Sequence, residues 1–166
     1  MAVTYDPIST TTLGSTTATV TFSSIPSTYT DLVLVCANLN SVGGNDDMFC
    51  QFNSDSGTNY SDTDVYGNGS SALSVRHTNS VGVKLTYVTT TLNGLIRANI
   101  MNYSNSTTYK TTILRDDAAV NVTAARVSLW RSTSAITSMT LTRSTGGGST
   151  GFASGSMFTL YGITAA

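Results

Sequence analysis

This sequence is short of charge. Lys, Arg, Asp and Glu make up 10% of its 166 residues, against about 25% in an ordinary soluble domain. All nine acidic residues are aspartates, the net charge is −1, and the eight basic residues are scattered. No basic stripe of the kind that grips a phosphate backbone is visible, so no nucleic-acid partner is expected. No apolar run reaches the ~18 residues of a membrane span. The opening MAVTYDPIS lacks the basic start and apolar centre of a signal peptide. The expectation is a chain made in the cytoplasm, with no membrane partner.

Histidine and cysteine are scarcer still. His77 is the only histidine, so a Ser-His-Asp or Cys-His arrangement would have to run through it. It sits beside Arg76 at the end of an expected strand and reads as a surface residue. A zinc site needs three or four imidazole or thiolate ligands, which one histidine and two cysteines in apolar strands do not supply. Neither enzymatic activity nor a metal or other cofactor is expected. Cys36 and Cys50 fall in neighbouring apolar strands, where a disulfide is open to them if those strands pair. Two buried thiols are the preferred reading for a chain made in a reducing compartment.

Helical periodicity is absent too: no segment of 11 or more residues shows it. Ser, Thr, Asn and Gly occupy the places that charge leaves, and Thr, Val, Ile and Tyr favour strands throughout. Residues 18–25 alternate, with Val20 and Phe22 against Thr19 and Thr21. Residues 31–39 are apolar on both faces, which marks a strand in the middle of a sheet. Pro26 and residues 27–30 supply the turn between them. Shorter strands follow at 48–52, at 60–66 as a broken edge, and at 72–77 with 81–88 as a hairpin. Further strands are expected at 95–103, where Ile96, Ala98 and Ile100 oppose Arg97 and Asn99, and at 109–115 with Ile113 buried. The last are 122–131, 136–143 and 155–163, with a mobile glycine-rich loop at 146–151.

About eight to ten short strands punctuated by turn signals argue an all-β fold, a jelly-roll-like antiparallel β-sandwich. Residues 1–15 carry little apolar periodicity and read as an N-terminal arm or edge segment; residues 16–166 form a single sandwich domain. Tyr5, Pro7 and Ile8 are the arm's candidate contacts with a partner.

The aspartates cluster as Asp46-Asp47, Asp62 with Asp64, and Asp116-Asp117, all at expected turns. Paired carboxylates can hydrolyse glycosides, and Asn53, Asp55, Asn59, Asp62 and Asp64 offer oxygens to calcium, although the EF-hand spacing is absent. Solvated turns are the preferred reading. Tyr60, Tyr66, Tyr103, Tyr109 and Trp130 are flanked by polar residues and suit a sugar platform, although packing or a subunit interface is the preferred reading. Asn-x-Ser/Thr triplets at Asn59, Asn68, Asn102, Asn105 and Asn121 read as by-products of composition.

Three segments carry a resemblance. The run TATVTFSSIPSTYTDLVLV, the loop FNSDSGTNYS at 52–61 and the ending ASGSMFTLYGI at 153–163 resemble a family of small virion proteins of tailed bacteriophages. The likeness covers both ends and one interior loop, and the stretch 62–151 lies outside it. It implies a β-sandwich on the particle without enzymatic activity, and it carries over no catalytic residue. The function expected from it is a capsid cement (decoration) protein, a homotrimer that contacts the major capsid protein and copies of itself on the virion. The alternative is a tail or fibre module that recognises host surface glycan.

Overall fold

A computed structural model describes residues 4–91, 93–118, 122–144 and 148–164. Within them the chain forms fourteen strands and no helix, so no helix is long and apolar enough to cross a membrane. In order they are β1 (Tyr5–Thr12), β2 (Val20–Phe22), β3 (Asp31–Leu39), β4 (Ser41–Val42), β5 (Asp46–Phe52), β6 (Tyr60–Gly67) and β7 (Ala72–Ser80). Then come β8 (Val83–Val88), β9 (Gly94–Met101), β10 (Lys110–Ala118), β11 (Val122–Trp130), β12 (Met139–Arg143), β13 (Gly151–Phe152) and β14 (Met157–Ile163). An eight-stranded sheet runs β1-β14-β3-β9-β10-β11-β6-β7, a four-stranded sheet runs β2-β12-β5-β8, and β13 pairs with β4. Every pairing is antiparallel. The architecture is an all-β sandwich, as the strand patterning predicts.

Period-two alternation gives each strand two faces, and in the central strands the apolar one meets the facing sheet. Leu32, Leu34 and Cys36 of β3, Ile96, Ala98 and Ile100 of β9, and Phe158 and Leu160 of β14 point inward from the large sheet. They meet Met48, Cys50 and Phe52 of β5 with Met139 and Leu141 of β12. Each large apolar side chain buried this way contributes roughly 1.5–3 kcal/mol, so the interface between sheets dominates the stability. As its two-sided apolar pattern predicts, β3 lies inside its sheet, between β14 and β9. Its outward Val33 is buried beside register partners Tyr161 and Asn99. Cys36 and Cys50 lie in opposite sheets, both buried as free thiols.

Some expectations need correction. Residues 72–77 and 81–88 do not form a hairpin: β7 extends to Ser80 and pairs with β6, whereas β8 belongs to the small sheet. Ile113 is not buried but 46% exposed, because its neighbours Leu114 and Thr112 take the inward positions. None of the three aspartate clusters is a turn. Asp46-Asp47 opens β5, Asp62 and Asp64 sit within β6, and Asp116-Asp117 lie in β10. Gly146 and Gly147 of the expected mobile loop, and Asn121, lie outside the described residues.

Candidate functional site: a buried acidic cleft

Eight strands cannot be covered by four, so the β10-β11-β6-β7 end of the large sheet overhangs β8. The inward positions there are mostly polar. On β6 they are Asp62, Asp64 and Tyr66; across the register stand Arg126 and Ala124 of β11, Asp116 of β10 and His77 of β7. With Asp47, Lys84, Thr86 and Tyr87 from the small sheet, most of these line a cavity of about 380 Å³. Lys84 and Asp47 form an ion pair of 2.9 Å across β8 and β5.

Arg126 organises the interior. It is 5% exposed, its Nε donates to Asp64, and its Nη1 lies 3.7 Å from Asp116 Oδ2. The same Nη1 donates to the carbonyls of Lys84 at 3.1 Å and Leu85 at 3.0 Å. Consecutive carbonyls of a regular strand point in opposite directions. Here the register slips, with Met48 opposite Thr86 but Phe49 opposite Lys84. The extra residue, Leu85, bulges the strand and turns both carbonyls toward one guanidinium. That slip also explains why Leu85 and Thr86 are buried in succession.

Charge in the cleft is unbalanced. Asp62, Asp64 and Asp116 are each at most 4% exposed, and Arg126 is the buried cation among them. Burial pushes the Asp62 carboxyl up, against the hydrogen bond from Ser80. It pushes Asp116 up as well, against the attraction of Arg126. Asp62 Oδ1 accepts from Ser80 Oγ at 3.0 Å. Asp62 Oδ2 and Asp116 Oδ1 are buried with no hydrogen-bond partner among the described residues. One ligand atom each from Asp62, Asp64 and His77 lie within 4.8 Å of one another.

The other candidate residues lie elsewhere. Residues 5–12 form the edge strand β1 on β14. Tyr5 is 45% exposed, accepts from Arg97 Nη2 at 2.6 Å and packs edge-on against Tyr161. Ile8 is the extra residue where the register shifts between Pro7 and Ser9, and it packs against the core. Pro7 remains exposed, and its lack of an N–H suits an edge strand. Of the aromatics, Tyr60, Tyr103 and Trp130 are core residues at 0–3% exposure, not a sugar platform. Tyr109 is exposed and Tyr66 borders the cleft. The five oxygens considered for calcium do not converge. Asn53 caps the chain at Thr137 and Ser138, Asp55 and Asn59 bond each other, and Asp62 and Asp64 lie inside the sandwich.

The cleft was hidden in the sequence because its signal reads backwards. In SDTDVYG the apolar Val65 faces out and the aspartates face in. The one available cue was the Asp-x-Asp spacing, which sets both carboxylates on one face of a strand.

No protein-family model matches this chain, and no curated protein matches it. Among solved structures, a protein of unknown function from Shewanella oneidensis MR-1 aligns over 98% of this chain and 77% of its own, at 8% identity and a TM-score of 0.24.

Proposed function

We propose that the chain is a virion structural protein of a tailed bacteriophage, a capsid cement subunit acting as a homotrimer on the assembled shell. The observation that carries the reading is the outer face of the large sheet. Ile113 and Val127 are direct cross-strand partners on β10 and β11, and Val65 stands on the next strand, opposite Ala125. The three are 46%, 50% and 60% exposed. Apolar side chains on adjacent strands, in a chain with so little surface charge, suit contact with another protein surface. The resembling segments form β2, most of β3, the β5–β6 loop and β14, while the cleft falls largely in the stretch outside the resemblance.

The work is thermodynamic and needs no reaction. A subunit that binds only the assembled shell stabilises it by linkage, and copies bridging neighbouring capsomers add by multivalency. Purified protein added to shells stripped of it should co-sediment saturably and raise the temperature at which DNA leaks out. Failure to bind the shells would overturn the proposal.

One observation favours the alternative of a glycan-binding tail module. Tyr66 and Tyr87 border the same cleft as Asp47, Asp64 and Asp116, and rings beside carboxylates suit a sugar's faces and hydroxyls. Saturable binding to host surface glycan, lost in Tyr87→Ala, would establish that reading in place of the cement one.

A further inference from the structure

We propose that Asp62, Asp64 and His77 form a binding site for a divalent first-row transition ion, Zn2+ or Mn2+. The site does not depend on the virion reading. It departs from the sequence expectation of no metal, which rested on the shortage of thiolate and imidazole ligands and placed the aspartates at turns.

Position is the first argument. Asp62 and Asp64 are two residues apart on β6, so their side chains share its inward face, and His77 is the register partner of Asp62 on β7. Their ligand atoms all lie within 4.8 Å of one another, a span one ion can bridge with small side-chain adjustments. Two paired strands hold them, which is more rigid than a loop.

The second argument is an orphan. Asp62 is 3% exposed, and its Oδ2 is buried without a hydrogen-bond partner among the described residues. Buried carboxylate oxygens are almost always hydrogen-bonded or bound to a metal. Oδ1 is already held by Ser80, and Asp64 is held by Arg126. Such outer partners orient metal ligands and leave their other oxygens free.

Charge is the third. Three buried carboxyl groups, Asp62, Asp64 and Asp116, face one buried guanidinium, Arg126, so acidic groups outnumber their buried counter-ion. A bound cation would favour the ionised form of these buried carboxyls.

The donor set chooses the ion. Calcium and magnesium take oxygen ligands, whereas two carboxylates with an imidazole suit zinc or manganese. Access is open on the His77 side: His77 is exposed, and a second cavity of about 230 Å³ joins it to Asp62, Ser80 and Lys84. The ion would tie β7, the edge strand that pairs with β6, to the body of the sandwich.

The test uses the full chain, freed of metal by chelator and titrated calorimetrically with ZnCl2, MnCl2 and CaCl2, alongside thermal unfolding. The proposal expects one Zn2+ or Mn2+ per chain, a rise in Tm, and perturbed imidazole resonances of His77 by NMR. His77→Ala, at an exposed position that leaves the fold intact, should weaken binding by about tenfold or more, and Asp62→Asn should do the same. Absence of binding by Zn2+ and Mn2+ would overturn it. So would binding that His77→Ala leaves unchanged, or a preference for Ca2+ over both.

Discussion

Asp55 accepts the indole N–H of Trp130 at 2.7 Å, joining residues 75 positions apart. The Trp130 ring stacks on Tyr60 at 6.2 Å between centroids and meets Phe52 edge-on at 5.5 Å. The Tyr60 hydroxyl in turn donates to the Asp55 carbonyl and accepts from the Phe52 amide. One loop carboxylate thus closes the polar edge of an aromatic cluster that spans β5, β6 and β11.

That arrangement predicts acid sensitivity. Burial pushes the Asp55 carboxyl up, but hydrogen bonds from Trp130, Asn59 and the Gly57 amide outweigh it and hold the group below its ordinary value. A carboxyl lowered in the folded state adds stability above its unfolded value, about 3.9, and loses it as pH falls through the folded value. Asp55→Asn should flatten this acid limb in urea unfolding curves measured from pH 6 down to about 2. Asp55→Ala, which leaves the buried indole N–H unpaired, should cost about 1–3 kcal/mol at neutral pH.

Arg126 makes a second prediction. Arg126→Met keeps much of the side-chain volume but leaves Asp64 and Asp116 buried without their counter-ion. Removing one partner of such a set typically costs about 3–5 kcal/mol. Asp116→Asn in the same background should recover part of the loss, visible as a shift in the urea midpoint. Equal stability of Arg126→Met and the parent would show that the guanidinium does not hold the cleft together.

Gly162 gives a third. A methyl group there would run into the ring of Tyr29, whose hydroxyl donates to Asp6 at 2.6 Å. The glycine lets Tyr29 of the β2–β3 turn lie against β14. Gly162→Ala should cost about 1–3 kcal/mol through overpacking. Tyr29→Ala should remove most of that cost, so the double variant falls well short of additivity.

The cysteines give a fourth. Burial pushes both thiols up, away from the reactive thiolate. Native protein at pH 8 should resist iodoacetamide, and both residues should be alkylated once the chain is unfolded without reductant. Alkylation that needs prior reduction would reveal a disulfide instead.

Much of the framework was legible in the sequence. The two-sided apolar run of β3 and the alternation of Ile96, Ala98 and Ile100 in β9 identify strands whose burial follows their pattern. What failed was the sidedness of the β6-β10-β11 end. Period two reveals two faces but not which one meets the other sheet. Where the large sheet overhangs the small one, Val65, Ile113 and Val127 face outward while Asp64, Asp116 and Arg126 face in. The Leu85 bulge inverts the phase within β8, so a pattern read straight through it assigns Tyr87 inward, although it is 49% exposed. Trp130 and Tyr60 look surface-bound beside their polar neighbours because their polar tips do have partners, and those partners are distant in sequence or on the backbone.

The cement proposal meets its most direct test in electron cryo-microscopy of purified phage particles containing this chain. The account predicts many copies arranged as trimers over the head, with the Val65, Ile113 and Val127 face against a neighbouring copy or the shell. Copies confined to the tail, or none on the particle, would contradict it.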